Sequence, residues 1–323
     1  MFNLVEKRRW FFLLSALVIL PGFFIMIYST VVTDDHVPFR LSIDFVGGSI
    51  YEIKFMESGT TEADIRDVFA RYGEDNVIIQ RLGDVENNRW SVRGIFEEED
   101  TTQAILNDLG ILAPIDEQSL RISKVSGTVG KEVTRAAILA VALAAVVVTG
   151  FIVIAFRQVP KAMRYGICAI AAMVHDLLVV MGFASLMGLL RGWEIDALFL
   201  TAVLTVVGFS VQDSIVLFDR IRENIPKHIG EPYETIVNRS IWETIHRSLA
   251  TQLNAFFVMI AILLFGGETI KQFIAILFVG LLSGTYSSIF TAVPLLVSWE
   301  KGEIPFLKGD VIDESMMAAE VEV

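Results

Sequence analysis

The chain has 323 residues, of which 54% are hydrophobic, and its mean hydropathy is +0.58 with a net charge of −12. This composition is too apolar for an ordinary soluble protein and too polar for a chain that lies in a membrane throughout. The negative balance argues against a nucleic-acid partner, because phosphate binding needs clustered Lys and Arg. The single cysteine, Cys168, excludes an internal disulfide.

Six apolar stretches are long enough, or nearly so, to cross a bilayer as helices, which takes about 20 residues. The stretches are 10–32, 134–156, 165–190, 196–218, 248–265 and 272–297. The first follows Lys7-Arg8-Arg9 but is long and lacks a small-residue cleavage site. We therefore expect a retained anchor rather than a signal peptide.

Lys and Arg are concentrated in the short loops on one side of the predicted spans, which places both termini in the cytoplasm. Residues 33–133 then lie outside the cytoplasm, and this segment carries 20 acidic and 10 basic side chains. The predicted organisation is an N-terminus and first helix (1–32), an extracytoplasmic domain (33–133), five further helices in the lipid (134–299) and an acidic cytoplasmic tail (300–323).

The exported segment alternates strand and helix patterns. Strands are predicted at 40–45, 49–56, 76–82, 89–95 and 120–124, and helices at 62–72 and 101–109. This order indicates an antiparallel α+β domain with a ferredoxin-like core, in which Gly47-Gly48 forms a backbone bend. The segment shows no metal, cofactor or catalytic pattern, which favours a docking or substrate-contact module over an enzyme.

Ionisable residues within the apolar stretches are the candidate functional residues, because a charge in the hydrocarbon normally has a task or a partner. Asp213 lies inside the fourth span, Asp176 inside the third, and Arg247 at the edge of the fifth. At 1.5 Å per residue, the three lie about 21 to 28 Å from the outer ends of their helices. A shared depth allows Asp213 and Arg247 to form either a proton relay or a static ion pair.

His175 precedes Asp176, and adjacent helical residues point about 100° apart. We therefore expect at most one of the two to face a given partner, in a functional or a structural role. The charged residues that end the fourth span are predicted to form an interfacial anchor or a gate; they are Asp219, Arg220, Arg222 and Glu223. Gly280 and Gly284 are four residues apart in the last span, which predicts close helix packing.

Four stretches together identify a family resemblance. They are Ile43-Asp44-Phe45-Val46-Gly47-Gly48, Gly208 to Asn224 around Asp213, Ser240 to Ser248 around Arg247, and Gly284-Thr285-Tyr286-Ser287-Ser288. With these stretches the chain resembles, over nearly its whole length, the SecF subunits of the SecD/SecF complex of protein export. Asp44, Gly47 and Gly48 belong to the family's loop motif.

The resemblance implies a member of the resistance-nodulation-division superfamily, with SecD as the other half and the SecYEG channel as a further partner. It also implies that the proton-motive force moves the exported domain to pull unfolded polypeptides outward, with Asp213 carrying the proton, Arg247 as its partner and a His175-Asp176 pair beside them. Two alternatives are half of a proton-coupled small-molecule or lipid exporter, and a scaffold that only clamps the channel.

Overall fold

The chain divides into two compact units, one of Leu41–Leu139 and one of the residues on either side of it. The structure, a computed structural model, describes residues 3–32, 37–74, 77–83, 87–155 and 162–304. Most of the predicted acidic tail, residues 305–323, lies outside the described residues. So do Arg157 and Lys161, which belong to the short loop between the second and third predicted spans.

The smaller unit contains the predicted α+β pattern. Its strands are β2 (Gly48–Lys54), β3 (Ile78–Arg81), β4 (Arg89–Gly94) and β5 (Arg121–Val125), preceded by β1 (Arg40–Leu41) at the boundary, and its helices are α2 (Ile43–Val46), α3 (Glu62–Arg71) and α4 (Glu99–Leu112). The predicted strand over 40–45 is wrong beyond Leu41. Ser42 accepts a hydrogen bond from the backbone N–H of Asp44 at 3.1 Å, and this N-cap turns the next residues into a short helix.

Four strands form one antiparallel sheet in the order β3-β4-β2-β5. The elements follow one another along the chain as β2-α3-β3-β4-α4-β5. This connectivity and the strand order confirm the predicted ferredoxin-like core. Tyr51, Ile53 and Phe55 alternate along the chain and are buried, as are Ile65 and Phe69 on α3. Because alternate residues of a strand point to the same face, β2 presents these side chains on one face of the sheet. Helix α3 packs its buried residues against that face.

Gly47 and Gly48 have φ angles of 82° and 132°, which L side chains rarely adopt. A Cβ atom on Gly47 would lie 2.7 Å from the Cα of Gly127, and one on Gly48 would lie 2.7 Å from the carbonyl oxygen of Gly94. The bend predicted here is therefore confirmed, and it also brings the backbone against the start of α5 (Gly127–Ala155).

The larger unit is helical. Its helices are α1 (Arg8–Val32), the continuation of α5, α6 (Ala162–Arg191), α7 (Ala197–Asn224), α8 (Tyr233–Phe265), α9 (Glu268–Ser287) and α10 (Val293–Glu300), with a two-residue strand β6 (Glu194–Ile195). Within the described residues, six helical segments are long and apolar enough to cross a membrane, which confirms the six predicted spans. Helices α5 and α8 begin earlier than predicted, because the polar residues before their apolar stretches are helical too.

The last span is continuous from Ile270 to Glu300 but changes its winding in the middle. A π-helical segment, Ser288–Ala292, joins α9 to α10. Pro294 follows it, and because proline lacks an N–H it removes one bond of the regular helical ladder. The irregular turn directly follows Ser287, which belongs to the candidate site described below.

Helix α6 is the central element of the larger unit and packs against α1, α7 and α9. Its crossing with α1 is close, since a Cβ on Gly182 would lie 2.7 Å from the Cα of Gly22. Small residues at such a crossing let two helix backbones approach. The side of α6 that faces α7 and α9 carries the polar groups of the site.

Candidate functional site

Asp176 is completely buried on α6, and its carboxylate is surrounded by hydroxyl groups from two other helices. Ser210 Oγ on α7 donates to Oδ2 at 2.5 Å. From α9, Ser283 Oγ donates to Oδ1 at 2.6 Å and Ser287 Oγ donates to Oδ2 at 2.7 Å. Hydrogen bonds of this kind satisfy a buried carboxylate that would otherwise be costly to desolvate. Three helices are thereby joined at one side chain.

His175 belongs to the same cluster. Its Nδ1 lies 3.0 Å from Asp176 Oδ1 and 3.5 Å from Ser283 Oγ, and its ring stacks on Tyr286 with the centroids 5.9 Å apart. The expectation that at most one of the two neighbours faces a given partner is wrong, because Ser283 lies within hydrogen-bond distance of both.

Asp213 lies on α7 and is half buried. Its Oδ2 accepts a hydrogen bond of 2.7 Å from the side-chain amide of Gln252 on α8. The side chain of Gln252 is itself buried, with 3% of the residue exposed. A carboxyl group inside a spanning helix therefore has a neutral amide as its hydrogen-bond partner.

The predicted ion pair between Asp213 and Arg247 is not formed in the described part of the chain. Arg247 is exposed, and it precedes Gln252 on α8 by five residues, which corresponds to about 140° around the helix. The two side chains thus leave α8 on different sides, and the amide is the one that faces α7. The role of Arg247 as a proton-linked partner stays a prediction.

Asp176 and Asp213 are linked through α7. Asp213 follows Ser210, the hydroxyl donor to Asp176, by about one turn of the helix. Ser214 is buried beside them and donates to the carbonyl oxygen of Ser210 at 3.1 Å. Any shift of α7 that follows a change at Asp213 therefore acts on the hydroxyl group that binds Asp176.

The charged residues at the end of α7 form ion pairs with one another and with α8. Asp219 pairs with Arg222 at 2.8 Å, and Arg220 pairs with Glu223 at 2.8 Å and with Glu243 at 2.6 Å. These pairs are partly exposed, so each contributes little stability by itself. Their arrangement fits the predicted anchor, whereas a gate stays a prediction.

Gly280 and Gly284, the two glycines predicted to mark close helix packing, differ in how much space surrounds them. A Cβ on Gly280 would overlap Val206 Cγ2 and lie 3.1 Å from Val180 Cγ2, so this position needs glycine. A Cβ on Gly284 would lie 3.5 Å from Ser210 and 3.6 Å from Asp176 Oδ2, which is ordinary contact. Gly280 therefore holds α9 against α7, and Gly284 lies beside the carboxylate with room for a methyl group.

The sequence-based prediction of the site missed Ser283 and Gln252, and it gave no role to Ser210 and Ser287. One signal was available, since Ser283 and Ser287 are four residues apart and so share a face of α9. Nothing comparable marks Gln252. Among the described residues no group of His, Cys, Asp and Glu side chains is arranged to hold a metal ion.

Comparisons with known proteins agree with this architecture. The family model "Protein export membrane protein SecD/SecF, C-terminal" matches residues 109–302, and the "SecD/SecF GG Motif" model matches residues 36–55, which include Gly47 and Gly48. The Protein translocase subunit SecF of Anaerolinea thermophila is 44% identical over 304 residues, which are 94% of this chain and 96% of that protein.

A second relative, the Protein translocase subunit SecF of Thermobaculum terrenum, is 41% identical over 93% of this chain and 94% of its own length. The crystal structure of SecDF, a translocon-associated membrane protein from Thermus thermophilus, superposes with a TM-score of 0.74 at 28% identity. That match covers 93% of this chain and 39% of the SecDF chain. On these matches, the chain belongs to the SecD/SecF family of protein-export membrane proteins.

Proposed function

We propose that this chain couples the proton-motive force to protein export, with Asp213 as the group that binds and releases the proton. Membership of the export family makes the chain a membrane subunit of that process and not an enzyme. The observation that carries the proton role is the partly buried carboxyl group of Asp213, whose partner is the neutral amide of Gln252 at 2.7 Å. An ionised carboxylate in such a place needs a cation, whereas a neutral acid does not.

The second carboxylate gives the proton a structural consequence. Asp176 binds hydroxyl groups of α7 and α9 at once, and Asp213 lies one turn beyond the α7 hydroxyl. A change of charge at Asp213 changes its preferred partner on α8, and α7 moves with it. Because Asp176 joins α6, α7 and α9, that movement reaches all three helices. His175 belongs to the same cluster, with its Nδ1 at 3.0 Å from Asp176 Oδ1.

The proposed orientation follows the distribution of Lys and Arg in the short loops. Both termini and the acidic tail lie in the cytoplasm, and the domain of residues 33–133 lies outside. Protons that enter from the outer side reach Asp213, pass to the inner side, and drive movements of the outer domain that pull exported unfolded polypeptides.

The proposed partners follow from the relatives. The SecDF protein combines in one chain a region similar to this one and a longer remainder. We therefore assign a SecD subunit as the second half, and the SecYEG channel as the translocon with which the pair associates. In the hypothesis, Arg247 binds Asp213 when the carboxyl group is ionised.

The test is protein export in sealed membrane vesicles that contain the partner subunits, measured with and without a proton gradient. Asp213→Asn is expected to abolish the part of export that depends on the gradient and to leave the remainder. Gln212→Asn is the matched control on the same helix, since Gln212 is the exposed neighbour of Asp213. Gradient-dependent export that persists in Asp213→Asn would overturn the proposal.

A further inference from the structure

The side-chain amide of Gln252 has a hydrogen-bond partner for its nitrogen but none for its oxygen among the described residues. Its Nε2 donates to Asp213 Oδ2 at 2.7 Å. Its Oε1 is buried, and it has no hydrogen-bond partner among the described residues. Buried side-chain oxygens are nearly always paired in folded proteins. An unpaired acceptor next to a carboxyl group therefore points to a donor that is present in one protonation state only.

A protonated carboxyl group supplies that donor. An ionised carboxylate only accepts hydrogen bonds, whereas the neutral acid has one O–H donor and one C=O acceptor. A primary amide also has a donor and an acceptor, side by side. The neutral acid and the amide are therefore complementary, and they close a ring of two hydrogen bonds that the ionised form cannot make.

We propose that Gln252 is a positioning residue that recognises the protonated form of Asp213. In this state Nε2 donates to Oδ2, as the structure has it, and the proton bound at Oδ1 lets that oxygen donate to Gln252 Oε1. One proton from the aqueous side is bound and no other bond changes. The inference rests on the proposed function, because it requires that Asp213 takes up a proton.

The polar groups of α6 and α9 near this site are bonded to one another, so the pairing involves only α7 and α8. From α6, the carboxyl group of Asp176 accepts from Ser210 at 2.5 Å, and His175 Nδ1 lies 3.0 Å from the same carboxyl group. From α9, the hydroxyl groups of Ser283 and Ser287 donate hydrogen bonds to Asp176. Tyr286 stacks on His175, and its hydroxyl group donates to the carbonyl oxygen of Phe11. Of the two arginines of α8, Arg239 pairs with Glu231 at 2.9 Å, and Arg247 is exposed.

The pairing gives separate roles to the amide of Gln252 and the guanidinium group of Arg247, which lie five residues apart on α8. The amide recognises the neutral acid and the guanidinium suits the ionised form. Because the two leave α8 about 140° apart, exchanging one for the other requires α8 to rotate or shift against α7. Loss or gain of one proton at Asp213 thereby becomes a movement of α8.

The experiment is infrared difference spectroscopy of the full chain in lipid membranes, recorded over a pH titration. The C=O stretch of a protonated Asp213 is identified as the band that disappears in Asp213→Asn. In Gln252→Leu this band is expected to move to higher frequency, because its C=O loses the amide donor. Gln212→Leu is the matched control, since Gln212 is the exposed neighbour of Asp213 on α7, and its band is expected to stay unchanged.

A second measurement uses the unsubstituted protein with isotopically labelled glutamine. The amide C=O of one glutamine is expected to move to lower frequency in step with the appearance of the Asp213 band, and this component is expected to be missing in Asp213→Asn. An Asp213 band that is present but insensitive to Gln252→Leu, without a coupled amide shift, overturns this inference alone. Absence of any Asp213 band over the titration overturns the proposed proton role as well.

Discussion

Ser287 on α9 donates a hydrogen bond of 2.7 Å to the buried carboxylate of Asp176 on α6. Its neighbour Ser288 is buried as well but donates within its own helix, to the carbonyl oxygen of Thr285 at 3.3 Å. The Ser287 hydroxyl group therefore joins two helices through a buried side chain, whereas the Ser288 hydroxyl group binds only the backbone of the preceding turn. The contrast provides a matched pair of variants.

Ser287→Ala is expected to destabilise the helical unit by about 1 to 3 kcal/mol, because a buried carboxylate loses one of its donors. Ser288→Ala is expected to cost less, since the carbonyl oxygen of Thr285 is part of the helix itself. Thermal unfolding in a mild detergent measures both. Equal stability of the two variants would contradict the role assigned to Ser287.

Gly280→Ala is expected to destabilise the packing of α9 on α7. Its methyl group would overlap the side chain of Val206, a β-branched residue that is only 1% exposed. Overpacking of this kind costs about 1 to 3 kcal/mol. Gly284→Ala is the control, because the same methyl group there meets its neighbours at 3.5 Å or more. Thermal unfolding is expected to show a lower stability for Gly280→Ala than for Gly284→Ala. An equal loss of stability in the two variants would contradict the difference in packing.

Arg247→Met is expected to reduce gradient-dependent export about tenfold or more, as Asp213→Asn does. Without the guanidinium group, the ionised state of Asp213 loses the cation that the hypothesis assigns to it. Stranding a fully buried charge costs about 3 to 5 kcal/mol, which sets the upper limit for the half-buried Asp213. Arg239→Met is the control on the same helix, because Arg239 pairs with Glu231 at 2.9 Å. Export assays in vesicles check this, and unimpaired gradient-dependent export by Arg247→Met would remove Arg247 from the mechanism.

The smaller unit is expected to lose stability as the pH rises from about 4.5 to about 7. Burial raises the pKa of Glu74 from 4.5 to about 7, an effect to which the nearby Glu97 contributes, while the backbone N–H of Ile95 opposes it. Between these values the unfolded chain has lost the proton that the folded domain keeps. Rising pH therefore favours unfolding until the folded-state pKa is passed, and below about 4.5 the stabilisation is fully present.

Glu74→Gln is expected to remove this dependence, because an amide has no proton to lose. Hydrogen exchange of the β4 amides in the full chain, corrected for the intrinsic effect of pH, measures it. Glu117→Gln provides the control at an exposed position of the same domain. A pH dependence that survives in Glu74→Gln would assign it to another group.

Local patterns in the sequence determined the architecture of this protein. Six apolar stretches became six long helices, because an apolar run of sufficient length is helical whatever surrounds it in the bilayer. The alternation in β2 and the helical patterns that became α3 and α4 predicted the order of elements in the smaller unit. The strand expected over 40–45 failed because a single side chain, Ser42, capped a helix instead.

Only the tertiary structure decided which polar groups meet. Sequence spacing gave Asp213 and Arg247 a similar depth, but depth does not fix the rotation of α8 about its axis, and that rotation presents Gln252 to α7 instead. The setting of Asp176 likewise depends on serines that come from α7 and α9, far away along the chain. Helix length and hydropathy are local properties, whereas the partner of a buried carboxylate depends on how whole helices pack.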